Sequence, residues 1–147
     1  MRKALALVVS TVAACVALPA ATAQAAPACG TTPEQWVGYF PGFTHWGGTA
    51  EDTPLDHTIT SRNGVLVIDT LINDWKRLQP VGDPTLDGNS LSWYTRSESG
   101  QEENIYTTTA VSCADGKVQS FSGTDLWRYF IPVWWHENET EFSASRG

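Results

Sequence analysis

The stretch from His57 to Trp75, HTITSRNGVLVIDTLINDW, constrains the fold more than any other. Asn63-Gly64 suits a two-residue type I′ turn, because both central residues need positive φ. That turn sets a register in which Arg62 faces Val65, Ile59 faces Ile68 and His57 faces Thr70. Residues paired across strands share a face. One face is then His57, Ile59, Ser61, Leu66, Ile68, Thr70 and Ile72. The other is Thr58, Thr60, Arg62, Val65, Val67, Asp69 and Leu71. The second strand, VLVIDTLI, is apolar on both faces, the pattern of a strand covered on both sides. The hairpin is expected inside a closed or sandwiched sheet rather than at an exposed edge.

Turn signals recur along the rest of the chain. Glu34 to Phe40 reads as a first strand stopped by Pro41-Gly42, and Phe43 to Trp46 as part of a second. Lys76 to Pro80 is a short pairing segment. Asp87-Gly88 is a tight turn leading into Asn89 to Thr95. Asp115-Gly116 joins Ile105–Cys113 to Lys117–Ser122 and places Cys113 beside Val118. Leu126 to His136, LWRYFIPVWWH, is aromatic and β-prone but interrupted by Pro132, so it reads as an edge strand or two short segments. No window outside the N-terminal leader has helical periodicity. The pattern predicts an all-β domain: an antiparallel meander closing into a small up-and-down barrel, with a two-sheet β-sandwich as the alternative.

The ends bound the domain. Met1-Arg2-Lys3, an apolar run from Ala4 to Ala20 and Ala-x-Ala sites at residues 21–25 form the pattern of a secretory signal peptide. Residues 1–26 are therefore expected to be removed, residues 27–136 to form a single β domain, and residues 137–147 to be a flexible acidic and polar tail. Val12-Ala13-Ala14-Cys15 is similar to a bacterial lipobox and offers a lipid anchor through Cys15 as the lesser alternative to free secretion. The Ala-rich leader resembles those of high-GC Gram-positive bacteria. Without Arg2 and Lys3, seven basic residues face sixteen acidic ones. A surface so acidic repels phosphate backbones and anionic membranes, which argues against nucleic acid as a partner and against stable membrane insertion. The two cysteines beyond the leader, Cys29 and Cys113, are expected to be bridged in an oxidising compartment.

Candidate chemistry is sparse. All seven Trp lie beyond the leader. Exposed indoles offer stacking faces for sugars or apolar ligands, whereas buried ones merely fill a small core. Trp134-Trp135 is the informative pair, since neighbours in a strand point to opposite faces and both cannot enter one core. With Trp127 they form the aromatic part of a candidate binding surface. Asp69 is the polar oddity of the apolar strand. If its face lines a barrel lumen, Asp69 and Arg62 supply polar groups to a ligand pocket; otherwise Asp69 is a structural carboxylate satisfied by Thr58. His57 falls on the opposite face, either as a buried group with a shifted pKa or as a half-buried one bonded to backbone. The three histidines match no metal-binding spacing. There is no nucleophile elbow, phosphate loop or dinucleotide fingerprint, so no catalytic residue, metal or cofactor is assigned.

Two short likenesses accompany this reading. Trp127-Arg128-Tyr129 resembles the recognition triplet of small secreted actinobacterial α-amylase inhibitors, though here it lies late, in an aromatic strand. The run Tyr106 to Gly123 resembles hairpins of calycins and of allene oxide cyclase-like barrels. It lacks the Gly-Gly-Thr-Gly-x-Tyr segment of the latter and implies architecture only. The expected function is a secreted, non-catalytic binding protein for a small apolar molecule, a carbohydrate or a partner protein. A small barrel enzyme of cyclase or isomerase type is the alternative, and a secreted inhibitor or envelope structural protein the third.

Overall fold

The computed structural model describes residues 28–45, 52–74 and 76–147. Residues 1–26, expected from the sequence to be a leader, lie outside the described residues, as do Trp46 and Trp75; the lipid-anchor alternative at Cys15 falls there too. One short helix, α1 (Pro33–Trp36), precedes ten strands: β1 (Gly38–Phe40), β2 (Gly42–His45), β3 (Asp52–Arg62), β4 (Val65–Ile72), β5 (Lys76–Pro80), β6 (Thr85–Asp87), β7 (Ser90–Arg96), β8 (Glu102–Ala114), β9 (Lys117–Ile131) and β10 (Trp134–Ser145). All pairings are antiparallel. β1 and β2 behave as one stave broken at Pro41, because both pair along the same edge of β3. From there each stave pairs with the next in sequence, β6 being a side hairpin on β7. β10 returns to β2 and closes the ring. The result is an eight-stave up-and-down barrel, a size whose interior is filled by side chains or holds one small ligand.

The predicted turns set the register. Asn63 and Gly64 have φ of 53° and 79°, and Arg62, Ile59 and His57 oppose Val65, Ile68 and Thr70. Asp115 and Gly116 do the same for β8–β9, with Cys113 opposite Val118. The side hairpin turns one residue later than expected, on Gly88-Asn89, since Asp87 pairs with Ser90.

Two segments differ from the sequence reading. Pro33 to Trp36 is a helical turn and not the start of a strand. Thr32-Pro33-Glu34-Gln35 starts it: Pro suits the first helical position, and Gln35 Oε1 accepts from the backbone N–H groups of Thr31 and Thr32. The turn drives Trp36 into one end of the barrel, where its indole N–H donates to Gly30 at 2.7 Å and its ring meets Phe121. The Cys29–Cys113 disulfide ties this plug to β8. The second correction concerns residues 137–147, expected to fray. Glu137 to Ser145 belong to β10, which buries Thr140, Phe142 and Ala144 at period two and closes the ring. Arg146 secures the end by donating to the carbonyls of Val118 and Val37.

The lumen is packed near the plugged end with Phe40, Ile59, Ile68, Phe121 and Phe142 around His57. Toward the opposite end its lining becomes polar, at Thr95, Asn104, Asp125 and Thr140. No helix among the described residues is long and apolar enough to cross a membrane.

Candidate functional site

The β9–β10 hairpin extends past the end of the barrel opposite α1, and the aromatic segment lies there. Alternation assigns its rings to two faces. On the face continuous with the lumen lie Trp127, Tyr129, His136 and Trp134. Trp127 stacks on Tyr129 at 4.3 Å between centroids, and Tyr129 on its cross-strand partner His136 at 5.0 Å. Trp134 continues the ladder and donates its indole N–H to His136 Nε2. Trp134 is 58% exposed. Beneath the ladder is a depression of about 310 Å³, lined by Trp127, Tyr129, Gln101, Glu102 and Lys76 among others. Glu102 and Lys76 are ion-paired.

The outer face of the same hairpin is braced by charge. Arg96, Glu103, Arg128 and Glu137 occupy successive cross-strand positions. Glu103 accepts from Arg96 at 2.7 Å, and Arg128 bonds Glu137 at 2.8 Å. The Tyr94 hydroxyl first, then Arg96 and Arg128, hold the Glu103 carboxyl below the usual range. Trp135 lies on this side against Phe130, with Arg128 near its ring. At the tip, Ile131, Pro132 and Val133 are exposed.

Below the ladder the lumen carries a second feature. Thr95, Asn104, Tyr106 and Asp125 come from β7, β8 and β9, pair across strands as Thr95–Asn104 and Tyr106–Asp125, and are all but fully buried. Thr95 Oγ1, both amide atoms of Asn104, the Tyr106 hydroxyl and both carboxyl oxygens of Asp125 have no hydrogen-bond partner among the described residues. Thr95 is near enough to Tyr106 to ease its ionisation but lies outside good hydrogen-bond geometry. Elsewhere the lumen satisfies much of its polarity internally. Thr70 Oγ1 lies 3.2 Å from His57 Nδ1 and accepts from Trp93 Nε1, Thr44 bonds Thr140, and Thr108 Oγ1 accepts from Leu91 N–H. An unpartnered buried polar group costs about 1–3 kcal/mol, so six together rank with the net stability of about 5–15 kcal/mol typical of a whole domain.

Burial, reinforced by the nearby Glu102 charge, pushes the Asp125 carboxyl up to about 8. Burial raises the Tyr106 phenol well above its usual value, with Asp125 and Glu102 adding to it. At neutral pH both are protonated, and each can donate as well as accept a hydrogen bond. Among the described residues no three His, Cys, Asp or Glu side chains gather as a metal site.

The residues singled out from the sequence separate into four places. Trp127 and Trp134 share the ladder, and Trp135 takes the opposite face, 39% exposed. Of the two readings of the Asp69 face, the lumen one is corrected: Asp69 and Arg62 do not line the lumen. Their face of the β3–β4 hairpin is the outer one: Asp69 is exposed, 3.9 Å from Arg77 Nη1, and Arg62 is exposed beside the turn. The wall turns the face of Leu66, Ile68 and Ile72 inward instead. His57 is inside, fully buried, with a T-shaped contact to Trp93; desolvation lowers its pKa to about 3, so it is neutral. Asn104, Asp125 and Tyr106 were not singled out. Counting alternate residues from the Asp115-Gly116 turn puts Thr124 and Leu126 inside. An extra residue near Gln119 reverses that parity on β9 and turns Asp125 inward, and one near Thr109 does the same on β8 for Tyr106 and Asn104.

A depression of about 360 Å³ on the outer wall over β2 and β10 is larger than the one under the ladder. Its polar side chains are exposed or half-exposed, so it has no desolvated group with which to read a ligand. Comparison of the chain with protein-family models, with curated proteins and with solved structures finds no match.

Proposed function

We propose that this chain is a secreted, non-catalytic binding protein that takes an uncharged carbohydrate against the aromatic ladder at the end of its barrel. The observation that carries this reading is the ladder itself, Trp127–Tyr129–His136–Trp134, beside a depression edged by Gln101 and the Lys76–Glu102 pair. A sugar ring has an apolar face for stacking and a rim of hydroxyls for polar neighbours. A wholly apolar ligand would leave Lys76 and Glu102 facing hydrocarbon, at a desolvation cost. The acidic chain disfavours anionic glycans.

The test is intrinsic Trp fluorescence during titration with cellotriose, maltotriose and chitotriose. A saturable change with at least one of them is expected, weakened about tenfold in Trp134→Ala, the equivalent of about 1.4 kcal/mol. No saturable change with any of the three up to about 10 mM would remove the carbohydrate reading, because weaker binding carries little recognition. Intact mass of the protein recovered from culture medium tests secretion and leader removal.

The hairpin tip supports a second reading. Phe130, Ile131, Val133 and Trp135 are 39–73% exposed within one short segment. Such a patch suits a partner protein, and Val133→Asp should then abolish partner capture while leaving sugar binding intact.

A further inference from the structure

We infer that Thr95, Asn104, Tyr106 and Asp125 form the floor of a recognition subsite, which reads the hydroxyl or carbonyl oxygens of a neutral ligand group reaching past Trp127. The inference rests on the carbohydrate reading for the identity of that ligand, but its geometry is independent of it.

The groups are concentrated rather than scattered. Thr95, Asn104, Tyr106 and Asp125 lie on neighbouring strands at successive inward positions, and each is at most 1% exposed. The same lumen pairs His57 with Thr70 and Thr44 with Thr140. Apart from His57 Nε2 near the plugged end, its unpartnered polar atoms gather where the wall meets the ladder. Along β8, Glu102, Asn104 and Tyr106 step inward on one face, and Glu102 already lines the depression under the ladder. Asn104 stands directly across from Trp127. A polar column thus continues the aromatic surface into the barrel.

Its chemistry selects for neutrality. The Asn104 amide, the Thr95 and Tyr106 hydroxyls and a protonated Asp125 carboxyl all donate and accept. Glu102, paired with Lys76, stands above them and repels an anion. A cation would find no ionised partner on the floor at neutral pH. Apolar side chains of matching size would fill this space at lower cost, so a packing role does not account for these four residues together.

The test separates floor from ladder. Asn104→Leu and Thr95→Val are compared with the unmodified protein by thermal melting and by titration with cellotriose, maltotriose and chitotriose. Glycerol and xylitol, polyols without a ring to stack on Trp134, are followed by NMR at the Asn104 side-chain amide. The expected result is a melting temperature unchanged or raised in both variants, at least tenfold weaker trisaccharide binding, and a saturable shift of the Asn104 amide with the polyols. Lower melting temperatures with unchanged affinity would assign the cluster a structural role and overturn the inference. Trisaccharide quenching that is lost in Trp134→Ala but unchanged in Asn104→Leu, with no polyol shift, would keep the carbohydrate reading and remove the subsite. A polyol shift without trisaccharide binding would keep the subsite and remove the carbohydrate reading. No response to either probe would remove both.

Discussion

Replacing Asp125 by Asn should flatten the pH dependence of stability on the alkaline side. The carboxyl ionises near 3.8 when free and near about 8 inside the barrel. Because the folded value is raised, the stability this residue contributes is fully present below about pH 4 and is lost as the pH climbs to about 8. Each tenfold change in proton affinity corresponds to about 1.36 kcal/mol, so the full span is roughly 5–6 kcal/mol. Between about pH 5 and about pH 8 the loss is about 4 kcal/mol. Among the described residues the charge acting on Asp125 is Glu102 on β8, itself paired with Lys76 of β5; Tyr106 opposite is protonated, and β10 presents the uncharged Thr140. Asn has nearly the same shape and does not titrate. Urea unfolding followed by Trp fluorescence at about pH 5, 6.5 and 8 measures the effect: the stability of Asp125→Asn relative to the parent should rise steadily with pH. His57 acts in the opposite sense. Its lowered value, about 3, means that stability falls as the pH drops below about 6.5, and this contribution cancels in the comparison. A difference between parent and variant that is the same at all three pH values would refute the placement of Asp125 as a buried, neutral carboxyl.

Other substitutions probe the frame. Gly123→Ala should destabilise by more than about 3 kcal/mol in a urea titration, since its Cβ would lie 2.0 Å from the Thr107 carbonyl oxygen. Gly64→Ala, with nothing within 4 Å but φ of +79°, should cost only about 1 kcal/mol of backbone strain. Reducing the Cys29–Cys113 bridge, or replacing both cysteines by Ser, frees a separation of 84 residues and should lower stability by about 4–5 kcal/mol on the chain-entropy model, read as a drop in denaturation midpoint. Asp69→Ala and Arg62→Ala should each change stability by less than about 0.5 kcal/mol and leave ligand affinity unaltered, because both lie on the outer wall; a loss of binding in either would reopen that face as a site.

Local turn chemistry was readable without the fold. Asn63-Gly64 and Asp115-Gly116 take positive φ because Asn and Asp tolerate it and Gly has no Cβ to oppose it, and each sets the pairing of the strands beside it. The contrast between Trp134 and Trp135 was equally legible, since alternation is a property of any strand. The closing strand was legible only in part. Thr140, Phe142 and Ala144 alternate inward through ENETEFSAS, but the acidic residues between them mask the pattern. α1 announced itself through Thr32-Pro33-Glu34-Gln35, a start signal too short to stand against the β-prone residues after it.

The sequence by itself determined the class of architecture, the registers at Asn63-Gly64 and Asp115-Gly116, the pairing of Cys29 with Cys113 and the exposure of part of the aromatic segment, all of which depend on residues a few positions apart or on simple elimination. Tertiary structure decided which face of each stave points inward. Apolar residues occupy both faces of Val65–Ile72, so only closure of the ring, through β10 on β2, turns Ile68 in and Asp69 out. Irregular residues within β8 and β9 reverse parity partway along those strands, and this carries Asp125 into the lumen opposite Tyr106. A reversal of one residue leaves the local composition unchanged but moves every later side chain to the other face, and the neighbours that make Asp125 neutral come from other strands.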